Sequence, residues 1–332
     1  MQKVIKNTLL TLLSILLAIA ILWWMYRGFD WVAIREGFSS KRKWSWMLWS
    51  LPFGILAQVF RALRWRQALR PLGENPRLHT SIDAIFLSYA SSLFVPRVGE
   101  LLRCAVLKRW DGVDMAHSFG TVVVERMVDV VLILLLSLLT LVVQIPVFLD
   151  FFSHTGVSLE SFLTSFSKAG YVVCFVCLIV LLVTGALILY RVNLLTRAKT
   201  FLKGFWEGIS SVRNVQHPML YLFYSLGIWI SYYLHFYLTF YCFSSTSQLG
   251  ATVALVAFVV GTFAVLVPTP NGAGPWHFAV KTVLLLYGVS AVDGALFALV
   301  VHTIQTLLVF ALGVYAVVEL LFFIPRKKNN PQ

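Results

Sequence analysis

The chain has 332 residues, of which 59% are apolar and only 12% charged, about half the charge of an ordinary soluble domain. With 15% aromatic residues and a mean hydropathy of +0.82, too little polar material remains for a water-facing surface, which excludes a cytosolic globular enzyme and makes lipid the solvent. The 27 basic and 14 acidic residues leave a net charge of +13, suited to anionic headgroups. Nucleic acid is excluded as a partner, because no compact basic domain with interleaved aromatics lies outside the apolar runs.

Thr8 to Tyr26 is the first apolar run. It follows Lys3 and Lys6, is too long for a signal-peptide core and ends in Trp23, Trp24, Met25, Tyr26 and Arg27 without small residues for cleavage, so it reads as a retained signal anchor. Ser45 to Arg64 is the second span. Arg61, Arg64, Arg66 and Arg70 form a basic inner rim there, a topology signal or a headgroup collector. Ile82 to Val95 has only 14 residues, about 21 Å as a helix and too short for about 30 Å of hydrocarbon. It stops at Pro96, after which Gly99, Glu100 and Arg103 open a second short segment, so 81–109 reads as a broken re-entrant hairpin. Val122 to Val143, Gly170 to Tyr190 and Met219 to Phe243 are further spans, and Cys174 and Cys177 within the second of these read as buried small hydrophobes. Ala251 to Val267 ends at Pro268, Thr269, Pro270, Asn271, Gly272, Ala273, Gly274 and Pro275 and resumes as Trp276 to Tyr287, a second broken hairpin over 251–288. Asp293 to Phe323 is the sixth span. The predicted fold is therefore an all-α polytopic membrane protein with six full spans and two broken re-entrant helical hairpins.

Basic residues favour the cytoplasmic side. With the N-terminus inside, 18 of the 27 fall in cytoplasmic segments and six outside, although five of those six crowd one connection, Arg27 to Lys43. Both termini are then cytoplasmic. Glu36-Gly37-Phe38-Ser39-Ser40 recurs as Glu207-Gly208-Ile209-Ser210-Ser211, and Val95-Pro96 as Val267-Pro268, at nearly one offset. That repetition, with a shared order of elements, predicts two membrane repeats, 1–168 and 169–332, each with three spans and one hairpin. An odd number of crossings per repeat makes the second inverted, as in many transporters.

Ionisable residues at membrane depth are costly and mark pairing or function. Arg97 sits at the first break, where a half-helix presents its N-terminal N–H groups, a geometry suited to phosphate; alternatively it snorkels or neutralises Glu100. Glu100 and Arg103 are three apart and can pair. At the second break Pro275 suits the first helical position with Gly274 near the cap, and His277 and Lys281 share a face that favours an anion or anchors the interface. Glu125, Arg126 and Asp129 open the third span with net charge minus one, which calls for a partner such as Arg97, Arg103 or Lys281. The cluster is either a buried network locking hairpin to helix or a gate. His235, His302 and Gln305 read as interhelical hydrogen-bonding residues.

The run Phe94, Val95, Pro96, Arg97, Val98, Gly99, Glu100, then Arg103, then Glu125, Arg126 and Asp129, and later Pro268, Thr269, Pro270, Asn271 and Gly272, resembles the flippase-like family over nearly the whole chain. That family is also called the lysylphosphatidylglycerol synthase transmembrane region. The resemblance implies a membrane protein that moves a lipid or lipid-linked headgroup between leaflets; relatives are linked to aminoacylated phosphatidylglycerol, polyprenyl-linked glycans and hopanoids. The best-known member carries an aminoacyl transferase domain after its membrane part. This chain ends at Gln332 after a short polar tail, so synthase activity is not carried over.

The expectation is a bacterial inner-membrane lipid translocase, not an enzyme. Arg97, Glu100, Arg103, Asn271, His277 and Lys281 would bind an anionic phospholipid or polyprenyl-linked headgroup. Glu125, Arg126 and Asp129 would gate the first hairpin, and Pro96, Gly99, Pro268, Pro270, Gly272, Gly274 and Pro275 would form the breaks. No cofactor or metal is expected, and a lipid-synthesising enzyme is a candidate partner. The rival readings are a transporter of a small water-soluble anion and an intramembrane lipid-modifying enzyme, the latter lacking any HExxH or Asp-rich metal motif.

Overall fold

A computed structural model describes residues 23, 43–95, 98–144, 206–207, 211–267 and 269–325. The expected spans at Thr8 to Tyr26 (Trp23 apart) and Gly170 to Tyr190, Cys174, Cys177, Pro96, Arg97, Pro268, the repeated segment at 36–40 and the boundary near 168 lie outside those residues. By compactness the chain divides into one unit of Met1–Leu136 with Gly204–Gln332 and another of Ser137–Lys203. The site described below lies in the first.

Among the described residues there are eight α-helices and no strand. They are α1 (Trp44–Leu69), α2 (Leu78–Ser92), α3 (Gly99–Asp111), α4 (Met115–Val143), α5 (Pro218–Phe240), α6 (Gly250–Ala264), α7 (Pro275–Leu286) and α8 (Ala291–Val318), the last followed by a π turn at Glu319–Phe323. Among the described residues, three helical stretches are long and apolar enough to cross a membrane: Trp44–Leu72, Met115–Val143 and Ala291–Phe323. α5 has 23 residues, about 35 Å at 1.5 Å each, but its five tyrosines and His235 make it less apolar.

The expected breaks fall between short helices. α2 and α6 have 15 residues each, about 22 Å and less than the hydrocarbon thickness. Each packs against the helix that follows it, α3 or α7. Gly99 makes the first fold-back tight, since a Cβ there would stand 2.0 Å from the Ser88 carbonyl oxygen. The base of this pair is clamped by Arg77, whose backbone N–H and Nε donate to Asp111 at 2.9 and 2.6 Å. Trp110 Nε1 also donates to the Leu320 carbonyl at 2.8 Å, tying the pair to the end of α8. Along its length α2 meets α8 closely: a Cβ on Gly313 would stand 2.2 Å from that of Ala90.

The second pair begins as its prolines predict. Pro275 occupies the first turn of α7 with Gly274 as its N-cap. Trp276, Val280 and Leu284 face a core shared with Phe236 and Phe240 of α5 and Phe297 of α8. Elsewhere α5 lies along α1 in the most extensive helix pairing of the structure. Its N-cap, His217, holds a left-handed φ of 59°, and Gln67 Nε2 pins that turn by donating to the carbonyls of Gln216 and His217 at 2.6 and 2.9 Å.

Candidate functional site

α1, α3 and α4 carry seven ionisable side chains into one layer. Residues three or four apart share a helix face, so Arg61 and Arg64 of α1 meet Glu125 and Asp129 of α4. Arg61 Nη1 and Arg64 Nη2 donate to Asp129 at 2.7 and 2.8 Å, and Arg126 Nη1 stands 3.6 Å from the same carboxylate. Arg103 Nη1 donates to Glu125 at 2.9 Å, with Arg64 Nε 3.8 Å away. The Arg103 guanidinium also lies 4.7 Å over the Trp65 ring, whose indole N–H donates to Thr121. On the edge of the layer, Arg126 Nε stands 3.0 Å from Glu100. Arg61, Arg64, Arg103, Glu125 and Asp129 are buried, while Arg126 and Glu100 are partly exposed.

Four guanidinium groups face three carboxylates, leaving one positive charge in excess. Such a layer holds only because each buried charge has a partner, since the desolvation of a lone ion costs several kcal/mol (roughly). The Arg126 end of the layer opens into a cavity of about 470 Å³. Arg61, Arg126 and Asp129, with Tyr89 and Tyr232, form one end of it. Val130, Ile133, Leu266, Leu308 and Leu312 supply apolar walls, and Asn271, His302 and Gln305 line another part. Buried wall atoms without a hydrogen-bond partner among the described residues include the donors Arg61 Nε and Trp229 Nε1, the Tyr232 hydroxyl and the acceptor Gln58 Oε1.

A closed ring of neutral hydrogen bonds shapes the second break. Asn271 Nδ2 donates to Thr306 Oγ1 at 2.8 Å, Thr306 Oγ1 lies 3.4 Å from His302 Nδ1, and His302 Nε2 donates to the Asn271 carbonyl at 3.1 Å. The ring fits the neutral imidazole protonated at Nε2, and it holds Asn271 at a left-handed φ of 51°. Asn271→Ala is expected to destabilise the protein by about 2 kcal/mol, since it loses the amide bond and places a Cβ residue without local compensation in a disfavoured conformation. Thermal unfolding in detergent checks this, and an unchanged midpoint would contradict it.

Several expected site residues stand elsewhere. Glu100 and Arg103 do not pair with each other: Glu100 meets Arg126, and Arg103 is buried against Glu125, because α4 offers both a closer partner than the same helix does. Neither lines the cavity. Arg61 and Arg64 are not a basic rim but the buried partners of Asp129. His277 and Lys281 do not present one cationic face. His277 is buried, accepts the Gly274 N–H at its Nδ1 and lies with its ring 4.4 Å from that of His302, tilted at 49°. Lys281 is partly buried and packs its stem near Gly294 of α8. Of the expected binding residues, Asn271 lines the cavity, while Arg97 lies outside the described residues. His235 donates its Nδ1 proton to the Ser50 carbonyl at 2.8 Å, an interhelical bond.

Comparison with known proteins gives one family. Residues 11–313 match the family model described as the lysylphosphatidylglycerol synthase TM region. No curated protein and no solved structure matches.

Proposed function

Because the chain belongs to the lysylphosphatidylglycerol synthase TM-region family, we propose that it is a lipid translocase that holds an anionic headgroup against Arg61 and Arg126. The observation that carries this reading is the excess guanidinium charge at one end of an apolar-walled cavity. A phosphate or phosphodiester would balance that charge and take hydrogen bonds from otherwise unpartnered donors, while apolar walls accept the lipid's own apolar body. A small water-soluble anion has no use for those walls.

In the accompanying topology the chain crosses the bacterial inner membrane six times with both termini cytoplasmic. α2 with α3 and α6 with α7 are then re-entrant hairpins of an inverted repeat. Arg97 and Lys281 would add positive charge that attracts the headgroup. Glu125 and Asp129 position the arginines, and a lipid-synthesising enzyme would supply the cargo. The protein performs no covalent chemistry on it.

Arg126→Gln keeps the stem and removes the charge. It is expected to weaken anionic-lipid binding and slow translocation by about ten- to a hundredfold, the worth of one charge-assisted hydrogen bond. Proteoliposomes carrying fluorescent phosphatidylglycerol measure both. Equal rates for the substituted and native proteins would remove the headgroup from this cavity. Uptake of inorganic phosphate without any change in lipid asymmetry would replace a lipid cargo with a soluble one.

A further inference from the structure

A second cavity, of about 310 Å³, lies between α2 and α8 on the other side of Leu312, a residue that lines both cavities. Asp83 of α2 lines it and is only 2% exposed, and its Oδ2 is buried without a hydrogen-bond partner among the described residues. A carboxylate this deeply buried is ordinarily paired with a cation. Among the described residues, the charged group within electrostatic reach of Asp83 is instead a second carboxylate, Glu319. Two aromatic rings complete the pocket: Phe86, buried, and Tyr315, half-exposed, with centroids 6.4 Å apart at 66°. His79, one helical turn before Asp83, is exposed and stands at the mouth.

We propose that this pocket is a second ligand site and that it takes a primary ammonium group, as carried by an ethanolamine-type lipid headgroup or a free alkylamine. An ammonium supplies the positive charge that two carboxylates lack, and its three N–H groups reach the unpartnered oxygen of Asp83. The electron-rich faces of Phe86 and Tyr315 attract the same cation. A divalent metal fits poorly, because Ca²⁺ takes six to eight oxygens (roughly) and the wall is mostly apolar. The exposed Tyr315 ring and the leucine and isoleucine side chains around the mouth would lie beside the glycerol and acyl portions of a lipid. The site stands on its own geometry and does not depend on an anionic lipid occupying the larger cavity.

The test uses the purified full-length chain in detergent, with its unfolding temperature followed as phosphatidylethanolamine, phosphatidylcholine, phosphatidylglycerol or ethylamine is titrated. Phosphatidylethanolamine is expected to raise the midpoint at lower concentration than phosphatidylcholine, whose quaternary nitrogen has no N–H. Asp83→Asn, which keeps the side-chain volume, is expected to weaken the phosphatidylethanolamine response about tenfold or more and leave the phosphatidylglycerol response unchanged. Tyr315→Leu removes one ring face and should weaken the same response, so the test survives if Asp83→Asn does not fold. Displacement of phosphatidylethanolamine by ethylamine identifies the amine alone as the ligand, whereas retention in excess ethylamine identifies the lipid. Equal responses to phosphatidylethanolamine and phosphatidylcholine, or full retention of the ethanolamine preference in Asp83→Asn, overturns the proposal. Loss of phosphatidylglycerol binding in Arg126→Gln with an intact ethanolamine response would show that the two sites are separate.

Discussion

Asp129→Ala is expected to destabilise the protein by about 3–5 kcal/mol, the usual cost of removing one partner from a buried charge network. Asp129 carries two short bonds, to Arg61 at 2.7 Å and Arg64 at 2.8 Å, and has Arg126 3.6 Å away. Without it, three guanidinium groups face one another in a poorly solvated layer. Their mutual repulsion then adds to the lost attraction. Chemical unfolding in detergent reads the loss, and a change below about 1 kcal/mol would mean that water or lipid already screens the layer. The converse replacement separates pairing from packing. Substituting Asp129, Arg61 and Arg64 together by leucine or methionine should recover much of the stability, because a fully apolar set avoids the desolvation cost. It should not recover the proposed translocation.

Gly99→Ala should cost about 3 kcal/mol, at the upper end of overpacking effects. The added Cβ would stand 2.0 Å from the Ser88 carbonyl oxygen. A backbone oxygen held within α2 cannot swing aside as a flexible side chain can. Relief requires the two short helices to part. Gly294 of α8 gives the contrast. Its nearest neighbour for an added Cβ is the Lys281 carbonyl oxygen at 3.5 Å, an ordinary contact. Gly294→Ala should therefore be neutral or stabilising by up to about 1 kcal/mol through helix propensity. Comparable losses in both variants would remove close helix approach as the cause.

The breaks were legible because they are local. An apolar run too short for the bilayer, ended by proline and glycine, announces a folded-back pair without reference to anything distant, and α2, α3, α6 and α7 follow. Gly274 and Pro275 take the cap and first-turn positions that their chemistry suggests. The charged layer was less legible, since its partners are separated by up to 68 residues. Glu100 and Arg103 look paired from spacing alone, yet each finds a partner on α4. Arg61 and Arg64 look like a rim because they end an apolar run. The signal that identifies them was nonetheless present: two arginines three apart at the end of an apolar run match the carboxylates Glu125 and Asp129. Counting them as buried partners also changes the orientation arithmetic. In the expected orientation, with Arg103 they leave 15 basic residues assigned to the cytoplasmic side against six outside, a smaller bias of the same sign.

The two short-helix pairs are held to their surroundings by forces that respond differently to shear. Sliding α3 along α4 separates Arg103 from Glu125 and Glu100 from Arg126. The tight seam of α2 with α8 and the Trp110 bond to Leu320 brace the same pair from the other side. α6 and α7 meet their neighbours through aromatic and aliphatic surfaces and a few neutral hydrogen bonds, contacts that re-form after a small slip. The first pair is therefore braced by charge pairs that a slide would break, and the second by contacts more tolerant of one. In the proposed translocase, the movement that exposes the larger cavity is expected on the α6 and α7 side.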